Sequence, residues 1–159
     1  MDLSFTTTIT THRTPEEVVA AVLDVRGWWS QTLTGASSAP GDEFGYEVPG
    51  IHRSRIRVER VDPARLVTWR VLDNWFGFAE DDWTGTEVRF EVEQHDDATR
   101  LVFTHVGLIP GQPCYDACHA GWSFYVEQSL AALIETGVGA PGRMPEQLAA
   151  LAELEHRAG

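Results

Sequence analysis

Three groups of side chains in this sequence could carry chemistry. His105 lies in phase with Leu101 and Phe103 on an alternating run, so its imidazole should face inward. There it could serve as a general base, orient a ligand by hydrogen bonding, or be a satisfied core histidine. His52 has a similar but weaker claim, because it sits beside the Pro49-Gly50 turn. Cys114, Cys118 and His119 offer metal ligands, yet adjacent helical residues diverge by about 100° and the three do not converge on one point. Cys118 is expected to act as a small hydrophobe, and neither cysteine has an evident base and orienting acid for nucleophilic catalysis. The run Glu80-Asp81-Asp82 could hold a hard cation, but it lacks the spacing of a calcium loop and reads as a solvated stretch. The expectation is no metal, no cofactor and no assigned catalytic residue.

Composition narrows the field further. All twelve basic side chains are arginine, which removes lysine Schiff bases, lysine general bases and a phosphate-loop lysine together. A net charge of −12 repels phosphate backbones and anionic membrane surfaces, so no nucleic acid is expected. No apolar run is long enough to cross a bilayer, and Met1 to Phe5 carries no basic or apolar leader, so a cytoplasmic protein without membrane insertion is expected. With 159 residues, 43% of them hydrophobic, one folded domain is the default.

The elements that must position these groups follow from periodicity. Leu3 to Thr10 is rich in β-branched residues and suits a strand. Thr14-Pro15-Glu16-Glu17 supplies a hydroxyl cap, a first-turn proline and a glutamate three residues after the cap, so a short helix should run from Pro15 to Asp24. Gly27-Trp28-Trp29 then redirects the chain, and Thr34 to Asp42 reads as a small-residue loop. Period-two alternation follows in four successive runs. Phe44, Tyr46 and Val48 face one side; then Ile56 and Val58 oppose Arg53, Arg55 and Arg57; then come Val67, Trp69 and Val71; then Val88, Phe90 and Val92. A last strand spans Thr99 to Gly107. A long helix is expected from Pro110 to Thr136, with Tyr115, Cys118, Trp122, Val126, Ser129, Leu130 and Leu133 as its buried stripe and Gly137 as its stop. Residues Met144 to Arg157 read as a further helix.

The order strand, short helix, tryptophan pair, antiparallel meander and long C-terminal helix resembles the START-like, or SRPBCC, superfamily. Over residues 3 to 141 the chain is similar to the activator of heat-shock protein 90 ATPase homologue family within it. The likeness is carried by Trp28-Trp29, the run Asp62-Pro63-Ala64-Arg65-Leu66-Val67-Thr68-Trp69, Thr99-Arg100-Leu101, and Gly121-Trp122 with Leu130 and Leu133. It implies an α+β helix-grip fold, in which a curved antiparallel sheet wraps a long C-terminal helix. It assigns residues 1–141 to that domain and leaves 142–159 as a helical appendage. It also implies a cavity between sheet and helix that in relatives holds lipids, sterols or polyketide intermediates. Co-chaperone activity does not follow from the family name, because true activators carry a separate partner-binding domain for which this chain has no length left.

Six Trp, seven Phe and three Tyr supply walls for such a cavity, although large aromatics also fill ordinary cores. The candidate ligand-binding set is Trp28, Trp29, Phe44, Tyr46, Trp69, Phe90, Phe103, His105, Trp122 and Tyr125, with His105 and Tyr46 fixing orientation. The expected function is binding of a small, largely apolar molecule by a monomer or homodimer. The alternatives are a cyclase or dehydratase that moves a proton through His105, and a protein-interaction or stress-response module.

Overall fold

The computed structural model describes residues 3–81 and 83–141, and the helix expected over Met144 to Arg157 lies outside them. Strand β1 (Phe5–Thr11) leads to α1 (Pro15–Leu23), which starts as its cap requires: the Glu17 amide donates to Thr14 Oγ1 at 3.1 Å. Asp24 leaves the helical region and a second short helix, α2 (Val25–Trp28), begins at once, so the chain turns earlier than Gly27. Strands β2 (Thr34–Gly35), β3 (Glu43–Val48), β4 (His52–Asp62), β5 (Leu66–Phe76), β6 (Glu87–His95) and β7 (Ala98–Val106) come next. They form one antiparallel sheet in the order β1-β7-β6-β5-β4-β3-β2. Thr34 and Gly35, expected in a loop, add a short edge strand opposite Gly45 and Phe44.

Alternation sorts the sheet as the sequence implies, with Ile56, Val58, Val67, Trp69, Val71, Val88, Phe90, Leu101 and Phe103 completely buried. The arginines opposite them stay on the outer face and pair with glutamates, as in Arg55 to Glu43 at 2.7 Å and Arg57 to Glu59 at 2.9 Å. One irregularity matters for function. The pairing register slips between Arg55 opposite Asp73 and Ile56 opposite Val71, leaving Leu72 as an extra residue in β5. Such a bulge reverses the facing of the residues beyond it. Asn74 and Phe76 therefore point inward, while Asp73 and Trp75 are exposed.

The long helix begins later than its sequence pattern suggests. Gly111 adopts a left-handed conformation with φ 94°, and residues 110–114 form turns, so α3 spans Tyr115–Trp122. The helix then widens into a π-helical segment, Ser123–Leu130, before α4 (Ala131–Thr136). Widening keeps Trp122, Tyr125, Val126, Ser129 and Leu130 all buried against the sheet, and Ile134 rather than Leu133 completes the buried face. Gly137 ends the helix at φ 82°, donating its amide to the Leu133 carbonyl at 2.9 Å. The Ser129 hydroxyl donates to the Trp28 carbonyl and accepts from the Ala140 amide, each at 2.7 Å, which ties the returning chain and α2 to the helix.

Candidate functional site

Much of the space between helix and sheet is filled by rings. Trp69 lies nearly parallel to Trp28 (11°) and to Trp29 (9°), with centroids 6.2 and 6.1 Å away. Phe90 meets Trp69 at 4.8 Å and Phe103 at 5.2 Å, and Phe44 stands edge-on to Trp69 at 5.1 Å. Five of the sequence-predicted residues, Trp28, Phe44, Trp69, Phe90 and Phe103, thus belong to a packed core and border no opening around α3.

A cleft does open between α3 and the ends of β3, β4 and β5. Four predicted residues line it: Trp29, Tyr46, Trp122 and Tyr125. The others around it are His52, Phe76, Phe78, Trp83, Ala117, Cys118 and Gly121. Its cavity volume is about 30 Å³, room for about two waters. None of the lining residues is an arginine or a carboxylate.

Two histidines sit beside this space in different states. Both His105 nitrogens are engaged: Nδ1 accepts from Trp122 Nε1 at 3.1 Å, and Nε2 lies 2.8 Å from Thr86 Oγ1. The Thr86 hydroxyl donates to the Trp83 carbonyl, so Nε2 carries the ring proton and donates to Thr86. Burial, reinforced by nearby His52, pulls His105 down to about 3. The ring is neutral and has no lone pair to spare.

His52 is arranged differently. Its Nε2 lies 2.7 Å from Asn74 Oδ1, while Asn74 Nδ2 donates to the Asp81 carboxylate at 3.0 Å. A carboxylate only accepts, so the amide is oriented by Asp81 and Nε2 must carry the proton. Among the described residues Nδ1 has no hydrogen-bond partner, which leaves its lone pair available on a ring that borders the cleft. Burial pulls His52 down to about 4, against the Asn74 hydrogen bond and the Asp81 charge. The imidazole is therefore a neutral acceptor around pH 7.

Tyr46 contributes a second polar edge. Burial pushes its phenol up to about 12, against hydrogen bonding with Tyr125 and Trp29, so it stays protonated. Asp81, read from sequence as part of a solvated run, is a structural knot. Its carboxylate also accepts from the Trp83 and Thr84 amides at 2.9 and 3.1 Å and from the Thr84 hydroxyl. Burial raises this carboxyl, but the hydrogen bonds from Thr84, Trp83 and Asn74 together outweigh it and hold it below its ordinary value.

Sequence reasoning missed Asn74, Phe76, Phe78 and Trp83. The bulge that turns Asn74 and Phe76 inward leaves no mark in local alternation. Trp83 did leave one: a large aromatic set between the polar runs Glu80-Asp81-Asp82 and Thr84-Gly85-Thr86.

Comparison with known proteins agrees with this architecture. The solution structure of the Aha1 dimer from Colwellia psychrerythraea superposes with a TM-score of 0.68 at 22% identity, covering 86% of this chain and 98% of that one. DynU16, from the dynemicin biosynthetic locus, matches with a TM-score of 0.62 at 23% identity over 87% of this chain and 49% of its own. CalU16 from Micromonospora echinospora matches at 0.58 and 18% identity, over 94% and 88%. No curated protein matches the sequence. The family model for activator of Hsp90 ATPase homolog 1-like protein matches residues 13–135, most of the chain, and the seven-stranded sheet with its C-terminal helix is the helix-grip fold. The chain belongs to the activator of Hsp90 ATPase homolog 1-like family.

Proposed function

We propose that this chain binds a small, uncharged, largely apolar molecule in the cleft between α3 and the β3–β5 end of the sheet. The observation that carries the reading is the combination of aromatic walls with one unspent acceptor, His52 Nδ1, on a ring held by Asn74 and Asp81. Removing apolar surface from water supplies affinity at roughly 25 cal/mol per Å², and the few polar edges supply orientation. A charged guest would meet no countercharge among the lining residues. The binding unit is residues 1–141. DynU16 belongs to a biosynthetic locus, which is in keeping with a small-molecule role for this fold.

A second reading, a proton-moving enzyme, rests on the same imidazole. His105 is unsuited to it because both nitrogens are engaged, whereas His52 borders the cleft and keeps its Nδ1 lone pair unspent among the described residues. Its low basicity favours hydrogen bonding over proton abstraction. Tryptophan fluorescence and thermal melting against a panel of neutral arenes, aryl carboxylates and fatty alcohols test the binding function. Neutral arenes should shift emission and raise the melting temperature; no response to any member of the panel refutes it.

A further inference from the structure

Most rings of the cleft are carried by regular elements. Trp122 and Tyr125 stand on the long helix, and Tyr46, His52 and Phe76 on strands, whereas Trp83, like Phe78, is borne on the β5–β6 loop, residues 77–86. That loop is gathered by the Asp81 carboxylate, which binds the amides of Trp83 and Thr84, the Thr84 hydroxyl and Asn74 Nδ2. The indole it delivers lies 8° from parallel with Trp122 at 5.5 Å. His52 and His105 stand edge-on to it, each at 4.8 Å, and Phe76 at 5.6 Å. One stacked face and a ring of edges is how a protein holds a flat aromatic guest.

The fit is imperfect in one respect. Trp83 is 3% exposed, yet its Nε1–H has no hydrogen-bond partner among the described residues. Trp69 Nε1 also lacks one, but Trp69 is fixed in the middle of β5, away from the opening. Of the two, Trp83 alone combines an unmet donor with a place outside the sheet, on a loop whose backbone is fastened by the Asp81 carboxylate and by the Thr86 amide and hydroxyl on the Trp83 carbonyl, so that only the side chain is left to move.

We propose that the Trp83 indole is a built-in occupant of the cleft, and that the natural guest is an uncharged, planar, fused-ring aromatic molecule that takes its place against Trp122 when the indole swings out. The inference rests on the proposed binding function and adds what is bound and how entry is controlled. Size follows from the indole replaced. Lack of charge follows from a lining without arginine or carboxylate. A ring hydroxyl on the guest would donate to His52 Nδ1, the acceptor that the indole leaves unused.

Calorimetric titration of naphthol into the wild type, Trp83→Ala and Trp83→Phe tests the proposal, with naphthoate as the charged counterpart. Displacing the indole reduces apparent affinity by the fraction of open chains, so Trp83→Ala should bind naphthol roughly tenfold tighter than wild type. Trp83→Phe should fall between them and preserves a reading if the alanine variant fails to fold; naphthoate should bind none of the three. Equal or weaker binding by the variants makes Trp83 a bystander or a wall and overturns the displacement inference, while the binding function stands. Absence of binding to naphthol and to every other member of the panel, in all three proteins, overturns both.

Discussion

Acidification should unfold this protein earlier than its carboxylates alone would require, because two histidines are buried neutral. His52 and His105 have ordinary values of 6.5 and are drawn down to about 4 and about 3 in the fold, chiefly by burial. Between about pH 6.5 and pH 4 the unfolded chain therefore binds more protons than the native one, and stability falls as the pH is lowered. At about pH 5 an unfolded imidazole is almost fully charged while both buried rings remain neutral, so each contributes about 1.5 pH units at 1.36 kcal/mol per unit, or about 2 kcal/mol. Together they remove about 4 kcal/mol between about pH 8 and pH 5, a large part of the roughly 5–15 kcal/mol that holds a domain folded. Asp81 and Glu59, whose values are lowered, act in the same direction only below the ordinary carboxylate range, outside this window. Urea unfolding followed by far-ultraviolet circular dichroism at the two pH values measures the loss. The single variants His52→Gln and His105→Gln should each lower stability at high pH and halve its pH dependence, which separates titration from packing. A stability unchanged within about 1 kcal/mol, or an NMR titration midpoint near the ordinary value for either ring, refutes the reasoning.

Three other substitutions probe the elements that frame the site. Asp81→Ala removes the knot of the β5–β6 loop and should cost about 1–2 kcal/mol, with hydrogen exchange of the Trp83 and Thr84 amides accelerated while that of β6 and β7 is unchanged. Ser129→Ala leaves the buried Trp28 carbonyl and the Ala140 amide without their shared partner and should cost about 1–3 kcal/mol by urea denaturation. Trp69→Ala should cost about 3–5 kcal/mol, since its indole is completely buried among Trp28, Trp29, Phe44 and Phe90; Trp83→Ala should cost measurably less.

Local pattern made the architecture readable and the cleft only partly so. Alternation assigned Val67, Trp69 and Val71 or Leu101, Phe103 and His105 to one face because β5 pairs with β6 in uninterrupted register from Leu66 to Arg70, and β7 with β6 from Ala98 to Val106; the slip of β4 at Glu59 puts its extra residue in β4 and leaves the alternation of β5 intact there. The cap at Thr14 and the stop at Gly137 are readable because they depend on residues adjacent in sequence. The start of the long helix is less so. Gly111 and the bonds of Gln112 to Ile109 and Gly107 displace the first turn of α3 from Pro110 to Tyr115. The cleft depends on longer-range events. The extra residue at Leu72 follows from pairing between β4 and β5, and it alone brings Asn74 and Phe76 to the site. Whether a given indole fills the core or borders an opening depends on how several rings pack together, which alternation does not encode. That is why Trp28 and Trp29, neighbours in sequence, part company, one in the core and the other on the cleft wall.

The central claim is that the space beneath α3 receives a small uncharged aromatic guest. Intermolecular nuclear Overhauser effects between naphthol and the labelled wild-type protein test it most directly. Contacts from the naphthol protons to the rings of Trp122, Tyr125 and His52 are predicted, and saturable contacts confined to outward residues such as Trp75, or none at all, contradict it.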